Sequence, residues 1–367
     1  MVRDTERRKA DHIRISLNQN VQARNITTGF EDIDFIHHAL PEIDREKIDL
    51  TTRVFGHKFA APLLVGAITG GTQMATRINA TIAEAVEQLG LGMGVGSQRA
   101  ALEDKKMEET FAIARKKAPK AFLIANIGGV QLKNGYGVQE VRKVIDMIGA
   151  DAVAIHLNAL QETAQPEGQT NFSNVLQKIR EVTKEIDKPV IVKETGAGIA
   201  YEEARKLEAA GVKGIDISGA GGTSFAAVEY YRAKERENNT QRRLGDVFWD
   251  WGIPTAVSIV ETAQATYVPI IGSGGIRSGV DVAKSLALGA SLASFSQPIL
   301  RSAVRGVKET VRTLSLLTDE LRCVMFLVGA GAVQTLRKTP IVIRGKTSEW
   351  LRARGFEVES YAQRGRS

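Results

Sequence analysis

Residues 151–162 read DAVAIHLNALQE, and this stretch indicates the kind of unit from which the chain is built. The first five residues, Asp151 to Ile155, form a short apolar and β-branched run that is typical of a buried strand. The polarity then changes abruptly, because His156 follows directly and Asn158 comes two residues later. In parallel α/β proteins such a change occurs at the carboxyl end of a strand, where ligands bind. The stretch therefore predicts a strand whose end forms one wall of an active site, with a polar loop that satisfies only its own backbone as the alternative.

The same unit of strand, polar or glycine-rich loop and amphipathic helix recurs along the chain. Eight such units over roughly 250 residues predict an α/β fold, a closed (β/α)8 TIM barrel. An open, doubly wound sheet is the alternative, but the chain has no dinucleotide-binding fingerprint. The predicted strands are Leu63–Ala67, Gly92–Val95, Phe122–Ala125, Ala152–Ile155, Val190–Val192, Gly214–Ile217, Ile270–Gly272 and Leu292–Phe295. The predicted helices include Arg77–Leu89, Val138–Ile148, Tyr201–Ala210 and Val280–Leu288.

Three segments exceed the minimal barrel, which we assign to residues 61–316. Residues 1–60 form an N-terminal extension that begins with a charged arm. Residues 224–254 form an insertion between the sixth strand and its helix, and we expect it to act as a lid or a subunit contact. Residues 317–367 are predicted to contain an extra helix over Asp319–Leu336 and a tail that is mobile from Arg352.

The composition favours a cytoplasmic protein that acts on small molecules. The chain has one cysteine, so no internal disulfide can form and a reducing compartment is favoured. We find no signal peptide, and no apolar run of the ~18 residues that a membrane span needs. The formal charge of +7 favours polyanions or phosphorylated small molecules as ligands. Nucleic acid is not expected as a partner, because the chain lacks a basic motif interleaved with aromatic residues.

A glycine-rich loop after the seventh strand, Gly272-Ser-Gly-Gly-Ile-Arg-Ser-Gly279, predicts a phosphate site. Its glycines let backbone N–H groups turn towards an anion, and the start of the following helix adds positive potential. Arg277 supplies a guanidinium fork, and the segment Ser296-Gln297 after the eighth strand is expected to face this loop. A tight turn without a ligand is the alternative.

Polar side chains at the other strand ends indicate what the phosphate belongs to. A ring of hydroxyls, one amide and one lysine around a barrel mouth suits a flat polar heterocycle such as a flavin. Lys193 directly follows an apolar strand, so we expect it to approach the N1/O2 edge of that heterocycle; a surface salt bridge is its alternative role. The members of this polar ring are Thr69, Ser97, Asn126, Lys193, Ser218 and Thr223.

The order of these motifs resembles the type 2 isopentenyl diphosphate isomerase family over residues 8–298, most of the chain. The resemblance implies an enzyme of isoprenoid synthesis that interconverts isopentenyl and dimethylallyl diphosphate by a 1,3-allylic proton shift without net redox change. It also implies reduced FMN, Mg²⁺, NADPH as reductant and a homotetramer. The matching segments are Arg8-Lys9 with His12, Thr69-Gly70-Gly71, Gly96-Ser97-Gln98-Arg99, His156-Leu157-Asn158 with Gln161-Glu162, Gln165-Pro166-Glu167-Gly168, Gly219-Ala220-Gly221-Gly222-Thr223, Asp250-Trp251-Gly252-Ile253-Pro254 and Ser273-Gly274-Gly275-Ile276-Arg277.

The resemblance further implies roles for individual residues. It implies that Glu162 binds Mg²⁺. It implies a flavin N5 that acts as acid or base, with Gln161 positioning or relaying the proton, since a free amide is a very poor base. The catalytic residues implied are Gln161, His156 and Asn158. The substrate-binding residues implied are Arg8, Lys9, His12, Ser97, Arg99 and Gln161, with His156 and Asn158 also near the diphosphate. The FMN-binding residues implied are Ala67, Ile68, Thr69, Ser97, Asn126, Lys193, Ser218 and Thr223, with Gly275, Ile276, Arg277, Ser296 and Gln297 at its phosphate.

Three positions depart from the family pattern. Ser296-Gln297 stands where many FMN barrels have Gly-Arg, so phosphate affinity is expected to rest more on Arg277. Ala67-Ile68 stands where Ser-Met is usual, a change of small effect because the contacts there are mainly through the backbone. Ser224-Phe225 stands where Trp is frequent, so the family pattern does not define that wall of the pocket.

Other functions remain as alternatives. A 2-hydroxyacid oxidase needs a base histidine late in the barrel, whereas all five histidines precede the fifth strand. An enzyme similar to IMP dehydrogenase needs a nucleophilic cysteine after the sixth strand, whereas Cys323 lies beyond the eighth. A non-catalytic flavin- or phosphate-binding protein has no need of Lys193, Gln161 and Glu162 together.

Overall fold

The computed structural model describes residues 2–365, with side chains from residue 6 onwards. Eight parallel strands close into a barrel, because the last barrel strand pairs with the first through Ala293 and Leu63. The predicted (β/α)8 TIM barrel and its eight strands are confirmed. In chain order, barrel strands 1 to 8 are Leu63–Val65, Gly92–Gly94, Phe122–Gly128, Ala152–His156, Val190–Lys193, Gly214–Asp216, Ile270–Ser273 and Leu292–Phe295.

Apolar side chains from several strands fill the interior of the barrel towards the amino ends of its strands. A hairpin of the strands Thr52–Val54 and His57–Phe59 covers the amino end, where the ring of Phe55 stacks on Phe122 with 5.8 Å between centroids. The carboxyl ends of the strands are therefore the end that remains for ligand binding, as in other barrels of this class.

Amphipathic helices cover the outside of the barrel, and side-chain caps start several of them. The hydroxyls of Thr72 and Ser278, for example, each accept a hydrogen bond from a backbone N–H three residues later. The four predicted helices are confirmed, with small shifts at the ends of three of them. The outer helices are Gln73–Leu89, Glu109–Lys117, Val138–Ile148, Val175–Glu185, Tyr201–Ala209, Thr255–Ala265, Gly279–Leu288 and Gln297–Arg305. Shorter helices are Arg99–Glu103, Gly129–Lys133 and Ala159–Ala164, with 3-10 turns at Phe30–Asp32, Arg45–Lys47 and Lys105–Met107.

The N-terminal extension and the insertion lie against each other at the barrel mouth. The extension starts with the helix Val2–Asn18, and the insertion contains the helices Phe225–Glu235 and Asn239–Val247. The indole Nε1 of Trp249 donates to the backbone carbonyl of Gln22 at 2.9 Å, which ties the two segments together. The insertion and the first part of the extension are thus placed at the ligand-binding end of the barrel, whereas the hairpin of residues 52–59 in the extension covers the other end.

The C-terminal region differs from the prediction. The helix expected over Asp319–Leu336 is wrong in its bounds, because one helix covers Val307–Leu327 and a separate short one covers Val333–Leu336. Gly306 and Gly329 have φ of 112° and 67°, conformations that favour glycine and that mark the two ends of the long helix. These two glycines are the signal in the sequence that separates the long helix from its neighbours.

The tail packs onto the barrel. The strand Ile341–Ile343 pairs antiparallel with Ile33–Phe35, and the helices Gly345–Ala353 and Glu359–Ala362 follow. Tyr361 is buried, so the segment expected to be mobile from Arg352 is instead held by side-chain packing. No helix in residues 2–365 combines the length and the hydropathy that crossing a membrane requires. The division of the chain at residues 60 and 316 stays a prediction.

Candidate active site

The carboxyl ends of the barrel strands surround a cavity of about 230 Å³. The N-terminal helix and the first insertion helix contribute His12 and Phe225 to its wall. Most of the site residues predicted from the sequence line this one cavity, although they are scattered along the chain. They are Arg8, Lys9, His12, Ala67, Ile68, Thr69, Ser97, Arg99, Asn126, His156, Asn158, Gln161, Glu162, Lys193, Ser218, Thr223, Ser296 and Gln297.

A second cavity of about 80 Å³ adjoins the first and contains the remaining predicted site residues, Gly275, Ile276 and Arg277. Two adjoining cavities fit an elongated ligand with a phosphate at one end and a ring system at the other. The predicted site residues that line both cavities are Ala67, Lys193, Ser218, Thr223, Ser296 and Gln297.

The glycines of the phosphate loop, Gly272–Gly279, have a steric cause. Gly274 and Gly275 have φ of 102° and 70°. A Cβ on Gly274 would lie 2.2 Å from the carbonyl oxygen of Gly219, and one on Gly275 would lie 2.3 Å from the methyl group of Thr28. The loop can therefore approach its neighbours only as glycine, and it forms a backbone cradle of the kind that binds phosphate.

Arg277 lies in the wall of the smaller cavity, and its guanidinium donates to two uncharged oxygens. Its Nη2 donates to Oε1 of Gln22 at 2.9 Å and its Nη1 to the carbonyl of Ile276 at 3.1 Å. Burial lowers the pKa of this guanidinium; Asp281 opposes that change, and repulsion from Arg301 adds to it. A guanidinium at the wall of the cavity that pairs with no carboxylate in the described residues fits a phosphate group, which would supply a negative partner.

Three ionisable side chains lie in one row across strands 4, 5 and 6, because the register pairs His156 with Lys193 and Lys193 with Asp216. The Nδ1 of His156 lies 2.8 Å from Oδ1 of Asn126. Burial, with repulsion from nearby cations of which Lys193 is the strongest, lowers the pKa of His156 to about 3. His156 is therefore neutral at pH 7. With Nδ1–H assigned as the donor to Asn126, its Nε2 is an acceptor.

The short helix Ala159–Ala164 and the residue before it form an amide–carboxylate face of Asn158, Gln161 and Glu162, since positions three and four apart are neighbours on a helix. The Nδ2 of Asn158 donates to Oε1 of Glu162 at 2.9 Å, and the backbone N–H of Gln169 donates to Oε2 of Glu162 at 2.7 Å. The Oδ1 of Asn158 is buried and has no hydrogen-bond partner. An orphaned amide oxygen beside a carboxylate fits a hard cation such as Mg²⁺.

This face is not a complete metal site by itself. In the part of the chain that the structure describes, no group of three or more His, Cys, Asp or Glu side chains could hold a metal ion. Mg²⁺ in proteins commonly takes one or two carboxylates and completes its shell with water and substrate phosphate oxygens. The donor set is thus of the kind that binds the metal together with a phosphorylated ligand.

A cation cluster of Arg8, Lys9 and Arg99 forms another part of the wall. The Nζ of Lys9 donates to the carbonyl of Ser97 at 2.5 Å and lies 4.9 Å from the ring centroid of Phe111. Burial, followed by repulsion from Arg8, lowers the pKa of Lys9 to about 7. Burial and Arg99 lower the pKa of Arg8 in the same way. Cations that weaken one another's charged forms in a cavity are typical of an anion site.

The sequence analysis missed two residues of the insertion, Glu229 and Arg232, which are both fully buried. Arg232 donates to Glu229 at 2.5 Å and to Glu167 at 2.6 Å. Glu229 Oε1 also lies 2.7 Å from Nε2 of His12 and 3.4 Å from Nε2 of Gln161. These ion pairs join the insertion to the N-terminal helix and to the amide–carboxylate face. The available signal was a charged pair, three residues apart, within the apolar and aromatic segment FAAVEYYRA.

Comparisons with known proteins agree with this geometry. The sequence model of the FMN-dependent dehydrogenase family matches residues 2–126 and 129–343. The isopentenyl-diphosphate delta-isomerase of Methanosarcina barkeri is 48% identical over 100% of both chains, and that of Pyrococcus abyssi is 48% identical over 98% of both. The chain belongs to the FMN-dependent, type 2 isopentenyl-diphosphate delta-isomerase family. The family resemblance noted from the sequence is thereby confirmed.

This chain shares its fold with solved structures of oxidases. A mandelate oxidase superposes with a TM-score of 0.63 at 21% identity, covering 93% of this chain and 98% of the oxidase. A second mandelate oxidase structure gives 0.62 at 20% identity, covering 94% and 99%. At these identities the likeness concerns the barrel alone, so the chemistry has to be argued from the site.

Proposed function

We propose that the protein interconverts isopentenyl diphosphate and dimethylallyl diphosphate by a 1,3-allylic proton shift, with reduced FMN and Mg²⁺ bound. The observation that carries the proposal is that the cation cluster, the amide–carboxylate face and the phosphate loop open into two adjoining cavities. A diphosphate needs cations and a metal, and a flavin needs a phosphate cradle and a polar ring site. The names of relatives at 48% identity support the same substrates.

FMN would be held across the barrel mouth, over the ends of strands 1 to 3 and 5 to 8. Its phosphate would meet the backbone N–H groups of Gly275 and Ile276 and the guanidinium of Arg277, and its ring would meet Lys193 and Thr223. When bound, reduced FMN supplies an electron-rich surface that stabilises positive charge developing on a neighbouring carbon, and an exchangeable proton. The protein supplies the orientation and the electrostatic surroundings.

Mg²⁺ would be held by Glu162 and by Oδ1 of Asn158. The hydrogen bonds that Glu162 accepts from Asn158 and from the N–H of Gln169 fix the carboxylate, and such support commonly tunes metal affinity. Because two protein oxygens are too few for an octahedral shell, diphosphate oxygens and water would complete it. The metal and the cation cluster would then hold the diphosphate between them.

Gln161 would lie beside the reacting carbons. Its Nε2 is 3.4 Å from Oε1 of Glu229, and its Oε1 is 3.4 Å from Nδ2 of Asn158. Burial by itself raises the pKa of Glu229, but His12 and Arg232 outweigh burial, and the pKa lies below its ordinary value. Glu229 is therefore an ionised acceptor that orients the amide. A neutral amide is a very poor base, so we assign Gln161 an orienting or relaying role.

Three finer points belong to the same proposal: NADPH reduces the flavin, the protein acts in the cytoplasm, and it assembles as a homotetramer. The family resemblance supports NADPH and the tetramer, and the single cysteine supports a reducing compartment. Val247 and Trp251 of the insertion are 56% and 63% exposed, which suits a subunit contact. Anaerobic bleaching of bound FMN by NADPH and the mass in solution by light scattering test the first and last points.

The proposal is tested by anaerobic incubation with FMN, Mg²⁺ and isopentenyl diphosphate in D₂O, with and without dithionite, followed by proton NMR. We expect dimethylallyl diphosphate and deuterium incorporation in the reduced sample only. Bound flavin without product would contradict the isomerase proposal and favour another chemistry of FMN barrels.

A pair of variants tests the metal assignment. Glu162→Gln removes a charged ligand and should lower the rate by roughly 10²–10³-fold, the scale of losing one electrostatic contact in an active site, and should raise the Mg²⁺ concentration needed for half-maximal rate. Glu181→Gln changes an exposed carboxylate on an outer helix and serves as the control. An unchanged Mg²⁺ requirement in Glu162→Gln would show that Glu162 does not bind the metal.

A separate variant, Gln161→Ala, tests the orienting or relaying role of Gln161. Turnover near that of the wild type would exclude this role.

A further inference from the structure

Asp216 is a buried carboxylate at the end of strand 6 for which the proposed reaction has no role so far. Its side chain is 6% exposed, and it lines the smaller cavity together with Lys193 and Ser273. Burying a carboxylate is costly unless it is paired and hydrogen-bonded. Its partners should therefore indicate what it does.

Asp216 and Lys193 are register partners on adjacent parallel strands, so their side chains leave the sheet on the same face. Glu194 is buried as well, but successive residues of a strand point to opposite faces. Its carboxylate accepts hydrogen bonds at 2.5–2.6 Å from the backbone N–H groups of residues 195–197, and it lines neither of the two cavities. Of these two carboxylates, Asp216 is the one that faces the cavity with Lys193.

Ser273 holds the Asp216 carboxylate in place. The hydroxyl of Ser273 donates to Oδ1 of Asp216 and accepts from the backbone N–H of Ser218 at 2.9 Å. Lys193 Nζ donates one hydrogen bond, to the carbonyl of Glu194 at 2.5 Å, so the ammonium has further N–H groups for a ligand. Burial raises the pKa of Asp216 above its ordinary value; the charge of Lys193 and the hydroxyl of Ser273 favour the ionised form but do not outweigh burial in the protein without flavin.

We propose that Asp216 is a positioning residue that sets the acidity of reduced FMN through Lys193. The inference rests on the proposed function, which places the N1/O2 edge of the flavin beside Lys193. An ammonium alone at that edge favours the anion and shifts the equilibrium FMNH₂ ⇌ FMNH⁻ + H⁺ to the right. The Asp216 carboxylate cancels part of that positive charge, so N1 keeps its proton to higher pH. The charge of the reduced ring in turn changes how readily N5 gives up or takes a proton, which matters for a reaction that moves protons.

The test is a pH titration of N1 in the dithionite-reduced holoenzyme, followed by absorbance and made without substrate. Asp216→Asn removes the charge but keeps the shape and the contact to Ser273, and we expect it to lower the pKa of N1 by about 1–3, the usual effect of one nearby charge. Asp216→Ser should also lower the pKa of N1, and it replaces Asp216→Asn in the test if the amide variant fails to fold. Lys193→Met should raise the pKa of N1, and the double variant Lys193→Met with Asp216→Asn should return it towards the wild-type value.

Glu194→Gln is the matched control, since it removes a neighbouring buried carboxylate that points away from the cavity. It should move the pKa of N1 less than Asp216→Asn does. An unchanged pKa of N1 in flavin-loaded Asp216→Asn, or an equal shift in Glu194→Gln, would overturn the proposal and leave the proposed isomerase function untouched. Absence of isomerase activity with a normal titration would overturn only the isomerase function, and failure of the wild-type protein to bind FMN would overturn both.

Discussion

The two halves of the barrel mouth are built from contacts of different range. On the flavin half, the phosphate loop is shaped by its own glycines and by the cap that Ser278 and Asp281 form at the next helix. On the substrate half, the walls are joined by a latch, the ion-paired side chains of His12, Glu167, Glu229 and Arg232, which come from three separate segments of the chain. The backbone turn of the phosphate loop is therefore encoded locally, although the loop also packs on distant backbone, whereas the substrate half depends on tertiary ion pairs.

This difference predicts different sensitivities. A buried ion pair contributes little net stability compared with an apolar pair, but removing one partner strands the other charge in a dry environment. The latch should therefore fail as a unit, and its failure should displace the N-terminal helix that carries Arg8 and Lys9. Substitutions in the phosphate loop should lower the affinity for FMN by smaller amounts. Each of them removes one contact to the phosphate and leaves the latch intact.

The largest effect is expected for Arg232→Met. The change leaves Glu229 and Glu167 without their buried guanidinium and should cost about 3–5 kcal/mol locally. We expect faster hydrogen exchange in the helix Val2–Asn18 and a large loss of affinity for isopentenyl diphosphate, measured by mass spectrometry and calorimetry. The affinity for FMN should change little, and an equal loss of FMN affinity would contradict the separation of the two halves.

A smaller effect is expected on the flavin half for Arg277→Met. Losing one charge-assisted contact to a phosphate costs about 1.5–3 kcal/mol, so the Kd for FMN should rise roughly 10- to 100-fold in a fluorescence titration. Riboflavin lacks the phosphate and is the matched control ligand, whose Kd should stay the same. Equal weakening of both ligands would show that Arg277 acts on the ring or on the fold instead of the phosphate.

The flavin half was predictable from the sequence because its determinants are local. The barrel strands are short, largely apolar runs, and strands 4 to 7 end in a polar or charged residue. The positive φ angles in Gly272–Gly279 are met by the glycines of the loop itself. The long helix was misplaced because its apolar pattern was read from Asp319, while its start depends on the backbone conformation of Gly306. The periodicity of a helix does not reveal where its first turn begins when no side-chain cap is present.

The latch was not predictable in the same way. Nothing near Glu229 indicates that His12 will lie 2.7 Å away, because that contact is set by how the insertion and the N-terminal helix pack. The protonation state of His156 was equally out of reach, since a histidine with its ordinary pKa can be neutral or cationic near pH 7. Its neutrality follows from burial and from Lys193 beside it, which are properties of the assembled mouth.

The next prediction concerns pH and the cation cluster. Burial and Arg8 lower the pKa of Lys9 from 10.5 to about 7, whereas a bound diphosphate favours the ammonium form. Substrate binding should therefore take up a proton near neutral pH, and affinity should fall by up to about tenfold per pH unit above that range. Calorimetry in buffers of different ionisation enthalpy measures the uptake, and Lys9→Arg, which keeps its charge, should abolish it. An uptake that persists in Lys9→Arg would assign the proton to another group.

The same pKa has the opposite consequence for folding. Between pH of about 7 and 10.5 the unfolded chain binds more protons at Lys9 than the folded one does, so the contribution of Lys9 to stability rises with pH through this window. Substrate affinity and stability should thus change in opposite directions with pH. Thermal unfolding of Lys9→Met against the wild type across the window measures this, and a parallel change of both quantities would contradict the assignment.

The smallest effect is expected for Arg14→Ala, which tests whether burial gives the latch its importance. Arg14 also links the N-terminal helix to the insertion, through Glu235 at 2.6 Å, but the two side chains are 44% and 45% exposed. Exposed pairs of this kind contribute about 0.2–1 kcal/mol and are screened by salt. Hydrogen exchange in the helix Val2–Asn18 should therefore be slightly faster in Arg14→Ala than in the wild type. This difference in exchange rate should disappear at high salt. If Arg14→Ala loosened the helix as much as Arg232→Met, the number of ion pairs and not their burial would hold the substrate half together.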